Sequence, residues 1–214
     1  MSSTMSVPAA VAGLESAPPA EVAGSLFRMT VDQYERLVAT GLLDGQQTEL
    51  INGFLVQKVG KNPPHSWTVE ALREEFGRLQ LSGWSLRQEQ PVAIPDLNEP
   101  EPDLAVVRGT NDEYAKRHPR PGDVGLLIEV ADSTLEKDRG PKLLAYARGG
   151  IPVYWIVNLI ERRLEIHTGP TSAGYQDRSL IAAGEIAPLM LEGKEVGRIP
   201  VSAMLPRDET SSGT

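Results

Sequence analysis

The pattern of apolar and polar residues along the chain predicts a β-rich core accompanied by a few amphipathic helices. Two apolar runs in the middle of the chain, 104–107 and 124–130, have the length and boundaries of buried strands. Further strands are predicted for residues 84–94, 153–158 and 163–168, with additional β-segments at 175–181 and 189–201. Asn52-Gly53 separates two short apolar runs and predicts a β-hairpin, because both residue types tolerate positive φ.

Helical spacing of apolar residues predicts two helices before the central strands. Thr30 is placed to cap a helix that carries Tyr34 on its apolar side and ends near Gly41 or Gly45. A second helix is predicted to begin at His65, after the turn-forming residues 62–64. Its apolar residues recur at helical spacing at Val69, Leu72, Phe76 and Leu79.

A third helix is predicted after the second apolar run, and its start can be read in two ways. Ser133 and Glu136 have the spacing of a capping box, but Pro141 would then remove a backbone donor from the helix. Asp138 as the N-cap is the better prediction, because it leaves Pro141 in the first turn, where the missing N–H is tolerated. The helix then ends at Gly149.

Carboxylates accompany both central runs. Asp103 opens the first run and Glu129 lies inside the second, where an acidic side chain is costly unless it has a partner. The two-residue period of a strand places Asp103 on one face with Val107, and Glu129 on one face with Gly125 and Leu127. If the two strands pair, both carboxylates converge on one point of the sheet.

Hard oxygen ligands of this kind suit Mg²⁺ or Mn²⁺. Asp103, Glu129 and Glu49, which starts the first strand of the hairpin, are the candidate metal ligands. Lys142, on the third helix, is the candidate that assists a water molecule or neutralises charge developing on a phosphate. Two acids and a lysine at a sheet edge therefore point to a divalent metal beside a phosphate.

Each candidate also has a structural interpretation. Asp103 could be a turn carboxylate at the end of a strand, and Glu129 could form a buried ion pair with Arg139 or Arg148. The other two candidates could be ordinary solvent-exposed residues. An interaction protein held together by such ion pairs would have no cleft at Glu129.

Three further residues are predicted to support the site. Asp138, Lys142 and Tyr146 are spaced four residues apart on one helix face, so Asp138 and Tyr146 are expected to position the reacting groups. His65 is expected to hydrogen-bond locally or to cap its helix rather than to bind metal.

Composition narrows the class of protein. The chain has 214 residues and no cysteine, which removes disulfides, thiolate metal sites and cysteine nucleophiles. The net charge of −8 argues against a protein that coats nucleic acid, although residues 108–148 carry eight basic and seven acidic residues. No P-loop or GxGxxG follows a predicted strand, so no nucleotide cofactor is expected.

The predicted domain spans residues 25–206. Residues 1–24 and 207–214 are expected to be disordered tails, because they are polar or rich in Ser, Ala, Pro and Gly and lack apolar periodicity. No apolar run is long enough to cross a membrane, and the first residues do not read as a signal peptide. A cytoplasmic location is expected.

Four segments carry a resemblance to a known family: ELINGFL, EPEPDLAVVR, an RHP tripeptide, and LLIEVADSTLEKDRGPKLLAYARGGIPVYWIVNL. They resemble the Uma2 family (DUF820), bacterial proteins classed as proposed restriction-type endonucleases in the PD-(D/E)XK superfamily. The resemblance covers roughly residues 29–167. It implies an α/β (α+β) fold of the restriction-endonuclease type, with a central mixed β-sheet flanked by helices.

The resemblance also implies roles for particular residues. Asp103 matches the aspartate of the PD motif, Glu129 the second acid, and Glu49 an additional acidic position of the family. The superfamily pattern would place a lysine where this chain has Ala131. Lys142 matches the position to which the family's lysine has moved, on the following helix.

These inferences together predict a divalent-metal-dependent endonuclease that hydrolyses phosphodiester bonds in DNA, in the form of a homodimer. The rival hypothesis is a non-cleaving DNA-binding or regulatory homo-oligomeric module of the same fold, which the acidic net charge favours.

Overall fold

The computed structural model describes residues 25–207, so the two predicted disordered tails lie outside the described residues apart from Arg207. Helix α1 (Val31–Ala39) begins at a capping box in which the Thr30 side chain accepts from the Gln33 N–H. The predicted hairpin follows, with β1 (Thr48–Ile51) paired antiparallel to β2 (Phe54–Gln57). Its turn residues Asn52 and Gly53 have φ values of 51° and 81°, as the prediction requires.

Helix α2 (Pro63–Leu79) starts two residues earlier than His65. Asn62 is its N-cap and accepts a hydrogen bond from the His65 N–H at 3.0 Å, so the two prolines that follow Asn62 lie in the first turn. No helix within residues 25–207 has the length and apolar character needed to cross a membrane.

The centre of the described chain is a mixed six-stranded sheet. Its strands lie side by side in chain order, and every neighbouring pair is antiparallel except β5 and β6, which are parallel. The strands are β3 (Trp84–Gln88), β4 (Leu104–Arg108), β5 (Val124–Ala131), β6 (Val153–Asn158), β7 (Arg163–Thr171) and β8 (Gly174–Ala182). A separate hairpin consists of β9 (Ile186–Leu191) and β10 (Lys194–Pro200). Short 3₁₀-helices occupy Asn111–Tyr114, Pro121–Asp123 and Val201–Met204.

The sheet is buried on both faces. On one face, Leu104, Val106 and Leu126 pack with apolar residues of α2 and of the β9–β10 hairpin. On the other face, Ala105 and Leu127 pack with residues of a third helix and with the segment 92–94. Because both faces are covered, β4 and β5 are almost uniformly apolar and a carboxylate in either strand must find a partner.

Two details of the strand predictions are wrong. The strand predicted for residues 84–94 ends at Gln88, because Glu89 has a φ of 50° that turns the chain, and Pro91 has no N–H for a ladder. Gly125 does not share a face with Leu127. A bulge shifts the β4–β5 register at this point, and a Cβ at Gly125 would meet Trp84 on the opposite face.

The third helix, α3, covers residues 135–148 in three parts: an α-helical turn (Leu135–Lys137), a π-helical turn (Asp138–Lys142) and an α-helical end (Leu143–Arg148). Asp138 is therefore not the N-cap; it lies inside the helix. Pro141 also lies inside it, within the π-helical turn. A proline would clash with the carbonyl four residues earlier in a regular α-helix, and the wider turn changes that register.

Candidate functional site

The pairing of β4 with β5 brings the two predicted acids together. Leu104 pairs with Ile128, so the antiparallel register continues to Asp103 opposite Glu129. The N–H of Val130 donates to Asp103 Oδ2 at 2.8 Å, which attaches the Asp103 carboxylate to the backbone beside Glu129. Both residues are buried. The two acids therefore converge as predicted, but at the end of two interior strands of the sheet and not on an edge strand.

Helix α3 presents the predicted polar face to these acids. Lys142 Nζ lies 2.8 Å from Glu129 Oε1, and the Tyr146 hydroxyl donates to the same oxygen at 2.6 Å. Asp138 is buried on the same face, where its Oδ2 accepts a hydrogen bond from the Thr134 hydroxyl at 2.6 Å. The start of the helix was predicted wrongly, but the face that it turns toward the strands was predicted correctly.

Glu49 reaches the same place from the hairpin. Its side chain is buried, and its Oε2 lies 3.4 Å from Lys142 Nζ. Lys137 contacts the other carboxylate oxygen, and the Glu101 N–H donates to Oε2 at 3.2 Å. Lys142 thus lies between Glu49 and Glu129, so one ammonium group joins the hairpin to the central sheet.

His65, in the first turn of α2, contacts Asp103. Its Nε2 lies 3.1 Å from Asp103 Oδ2, so the imidazole shares that oxygen with the Val130 N–H. Its Nδ1 is buried without a hydrogen-bond partner among the described residues. Lys61 Nζ lies 3.6 Å from Asp103 Oδ1. His65 of α2 and Lys61, just before that helix, therefore both contact the Asp103 carboxylate.

These residues line one small cleft with a volume of about 60 Å³. That space accommodates an ion with a few water molecules, and anything as large as a nucleotide must approach from outside. The charged residues that line the cleft are Glu49, Lys58, Lys61, Glu101, Asp103, Glu129, Asp132, Lys137, Asp138 and Lys142. Six carboxylates and four ammonium groups give the lining a formal charge of −2 with His65 neutral.

Two of the carboxyls have raised pKa values. Burial raises the pKa of Glu129 to about 8; Lys142 opposes the shift, while the neighbouring charges of Asp138 and Asp103 increase it. Burial also raises the pKa of Asp138 to about 6, against the effect of Lys142. Both shifts arise mainly from burial, and the neighbouring carboxylates add to them.

Asp103 and Glu49, by contrast, have lowered pKa values. Burial opposes ionisation of Asp103, but the hydrogen bonds from His65 and from the Val130 N–H outweigh it and lower the pKa. For Glu49 the effect of burial is outweighed by Lys142 and Lys137. The cleft therefore holds two carboxylates whose surroundings favour ionisation, Asp103 and Glu49, beside two whose burial opposes it, Glu129 and Asp138.

The residue types that line the cleft suit a divalent cation, but their side chains are not arranged around one point. Within residues 25–207, no three His, Asp or Glu side chains already surround one point as metal ligands. Lys142 and Lys137 instead contact the carboxylates of Glu129 and Glu49. The hard oxygen donors and the formal charge of −2 nevertheless match one divalent cation, provided that the carboxylates turn away from the lysines.

Glu129 does form a buried ion pair, but its partner is Lys142 and not Arg139 or Arg148. Arg139 binds Glu165, with Nε 3.2 Å from Oε2, and Arg148 donates to the Ser172 carbonyl at 3.0 Å. Glu129 is paired with Lys142, and a cleft is present beside it. The predicted picture of Glu129 capped by an arginine without a cleft is therefore contradicted.

Sequence reasoning missed several residues of the cleft, above all Lys137, Lys61 and the Asn62–Asp132 hydrogen bond. Lys137 lies five residues before Lys142, and a regular α-helix does not place residues at that spacing on one face, so helical periodicity gave no signal for it. Lys61 and Asn62 lie in a loop, and no local pattern assigns loop side chains to a site 40 residues away in sequence.

A family model described as "Uma2: Putative restriction endonuclease" matches residues 31–197. A solved structure described as a "putative nuclease belonging to DUF820 from Anabaena variabilis ATCC 29413" has a TM-score of 0.63 and 15% sequence identity. The match covers 82% of this chain and 97% of that one. No match is found among curated proteins.

The chain shares its fold with the DUF820 protein, as the TM-score of 0.63 shows. The chain belongs to the Uma2 family, because the family model spans well over half of it. The resemblance of the four sequence segments, the family to which they pointed and the mixed sheet that they implied are confirmed.

Proposed function

We propose that the chain is an endonuclease that depends on a divalent metal and hydrolyses phosphodiester bonds in DNA. The observation that carries this proposal is the meeting of Asp103, Glu129 and Lys142 in one buried cleft, on neighbouring strands and the following helix. The family model is described as "Putative restriction endonuclease", which makes DNA the expected substrate. The ion is expected to be Mg²⁺ or Mn²⁺, because the donors are carboxylate oxygens.

The residues take the following roles in this proposal. Asp103 and Glu129 would hold the ion, and Glu49 would complete its ligand set. A bound divalent ion supplies a Lewis acid and lowers the pKa of a coordinated water. Lys142 Nζ, placed beside Glu129, would orient the attacking water and stabilise negative charge developing on the phosphate oxygens.

Three other residues would position these groups. Tyr146 donates to Glu129 Oε1 and fixes the carboxylate orientation, and His65 does the same for Asp103. Asp138, one helical turn before Lys142, adds to the negative field that keeps the lysine charged. Burial opposes the charge on Lys142, but Glu129, Glu49 and Asp138 together raise its pKa above the ordinary value.

Plasmid cleavage with Mg²⁺ or Mn²⁺ tests the proposal. Asp103→Ala, Glu129→Gln and Lys142→Met should each lower the cleavage rate by about 100-fold or more, because each removes a group that acts on the reacting phosphate. Lys194→Met, which removes an exposed lysine of β10, is the matched control and should cleave like the wild type. Equal activity in all proteins, or none in any, would contradict the proposal.

The rival function is a DNA-binding or regulatory module that does not cleave. The contacts of Lys142 and Lys137 with Glu129 and Glu49 favour it, since they neutralise these acids without a metal. Calorimetry with Mn²⁺ separates the two functions. The endonuclease should bind Mn²⁺ as wild type and bind it more weakly as Glu129→Gln, whereas the non-cleaving module should bind DNA and no Mn²⁺.

Two further parts of the proposal concern the setting of the protein. We expect a homodimer, which sedimentation of the purified chain would reveal as twice the monomer mass of 23.2 kDa. We also expect a cytoplasmic location, where the chain would meet DNA, and fractionation of producing cells would test it.

A further inference from the structure

We propose that a second groove, whose lining residues are all different from those of the cleft, binds a nucleotide unit. The groove lies between α1, the end of β3 and the segment 114–118, and has a volume of about 490 Å³, within the range of small-molecule sites. We call it the Arg87 groove. Its polar lining includes Glu35, Arg87, Glu99, Lys116 and Arg117.

Two buried polar atoms in the Arg87 groove lack partners. Glu99 is 4% exposed, and its Oε2 has no hydrogen-bond partner within the described chain; the same holds for Arg87 Nε. A buried donor or acceptor without a partner is unfavourable unless a ligand or water satisfies it. One groove thus offers an unfilled acceptor and an unfilled donor, which specifies a ligand with both kinds of group.

Glu99 is suited to accept from an N–H group. Its carboxyl lies beside the side chain of Glu35, a second acid of the groove lining. Burial, together with Glu35, raises the pKa of Glu99 to about 7. Oε2 of Glu99 has no hydrogen-bond partner within the described residues, so it could accept from an N–H that a ligand brings.

The cationic side of the groove is suited to a phosphate and a flat ring. The guanidinium groups of Arg87 and Arg117 lie 5.3 Å and 5.1 Å from the centroid of the Tyr114 ring, and Arg117 is also ion-paired with Asp123. Planar guanidinium groups bind phosphate through paired hydrogen bonds and stack on nucleobases. Lys116 is exposed at the same groove and adds a third positive charge.

A nucleotide combines the required groups. Its phosphate would meet Arg87, Lys116 and Arg117, and an N–H of its base would donate to Glu99 Oε2. Inorganic phosphate would leave Glu99 without a partner, so it should bind more weakly. A metal cation is disfavoured by the three positive side chains.

This inference goes beyond the proposed cleavage and does not depend on it. The nucleotide unit has two possible sources, a free nucleotide or a unit of a DNA strand. Arg87 pairs with Ala105, two residues beyond Asp103 in β4, and contacts Tyr114 on the α3 side of the sheet. The groove and the cleft therefore lie on the same side of the sheet, where one strand could reach both.

Calorimetric titrations of the full chain without divalent metal test the inference. The probes are dGMP, inorganic phosphate and an eight-nucleotide single-stranded DNA. Wild type should bind dGMP about tenfold more tightly than phosphate, because only dGMP fills the Glu99 acceptor. Arg87→Met and Lys116→Gln should weaken dGMP binding by about tenfold. Glu99→Met should reduce dGMP affinity to that of phosphate.

Arg36→Met is the matched control, since Arg36 is an exposed arginine of α1 outside the groove, and it should bind like wild type. Lys116 is exposed, so Lys116→Gln remains informative if Arg87→Met fails to fold. If the variants bind the oligonucleotide more weakly than wild type does, and dGMP binding is unaffected, the ligand is a unit of a DNA strand and the groove is supported. Absence of any binding to wild type, or variants that bind like the control, would overturn the inference. Mn²⁺ binding at the cleft should be unchanged in Arg87→Met, which separates a failure here from a failure of the proposed function.

Discussion

At the scale of single residues, the chemistry of the cleft depends on the different pKa values that two neighbouring carboxyls acquire from their surroundings. Asp103 receives a backbone N–H and an imidazole, and its pKa falls. Glu129 is buried among other acids with one lysine and one tyrosine, and its pKa rises to about 8. A divalent cation would therefore find one ligand already ionised and would displace a proton from the other.

This difference predicts how Mn²⁺ affinity varies with pH. Below the raised pKa of Glu129, about 8, a proton competes with the metal, so the dissociation constant should rise about tenfold for each pH unit lost. Above that pKa the dependence should level off. Calorimetry at pH 6.5, 7.5 and 8.5 measures the slope.

The control for this prediction is Glu129→Gln, which should bind weakly with a much smaller slope. The metal-free protein should show the linked effect on stability. Because the pKa of Glu129 is higher in the folded chain than in the unfolded chain, its contribution favours folding at low pH and is lost as pH rises through about 8. A pH-independent affinity in the wild type would contradict the assignment of Glu129 as a ligand.

Sequence patterns predicted the acids well and their surroundings poorly. Asp103 and Glu129 could be found because a carboxylate at an apolar strand is rare and strand periodicity fixes its direction. Lys61 and Lys137 could not, because the contact of a loop or helix-start lysine with a distant acid depends on how separate elements dock. His65 was underestimated for the same reason.

At the scale of elements, α3 supplies the amine that the strand cannot hold. Ala131, where the superfamily pattern would have lysine, is completely buried among Tyr146, Tyr154 and Ile156. A lysine there would have to displace packed side chains, at a cost of about 1–3 kcal/mol or more. Lys142 approaches Glu129 from the helix, across the cleft, without disturbing that packing.

The π-helical turn sets the direction of Lys142, so Pro141→Ala should disturb the site. Alanine restores a backbone donor and removes the ring clash, which allows the turn to return to α-helical register and rotates the residues beyond it. We expect the cleavage rate to fall by about tenfold or more while the folded state persists. Plasmid cleavage and far-ultraviolet circular dichroism measure the two effects.

Gly140→Ala is the control within the same turn. A Cβ at Gly140 meets nothing within 4 Å, and alanine favours helix over glycine by about 1 kcal/mol. This variant should therefore cleave like wild type with equal or greater stability. If Pro141→Ala also cleaves normally, the π-helical turn does not position the lysine.

At the scale of the whole molecule, the two faces of the sheet differ in function: one carries the candidate sites and the other forms an apolar packing layer. One face carries the cleft and the Arg87 groove beneath α3 and the segment 92–94. The other face is a packed apolar layer, in which α2 and the β9–β10 hairpin cover the sheet. The hairpin is thus expected to contribute to stability rather than to the reaction.

Gly125→Ala tests this separation. A Cβ at Gly125 would come within 2.7 Å of the Trp84 ring and 2.8 Å of Leu191, so the hairpin must shift outward. We expect a loss of unfolding free energy of about 1–3 kcal/mol, measured by urea denaturation, with little change in the cleavage rate of the folded fraction. Gly184→Ala is the control, because nothing lies within 4 Å of its added Cβ and stability should be unchanged.

The consecutive order of the six strands has a consequence for biosynthesis. From β3 to β8, each strand pairs with the one that precedes it in the chain. A nascent chain leaving the ribosome would therefore offer every new strand a partner that has already emerged, and only the parallel β5–β6 step must wait for an intervening helix. Assembly of the sheet can therefore keep pace with translation, because the growing edge is always the one with which the next strand pairs.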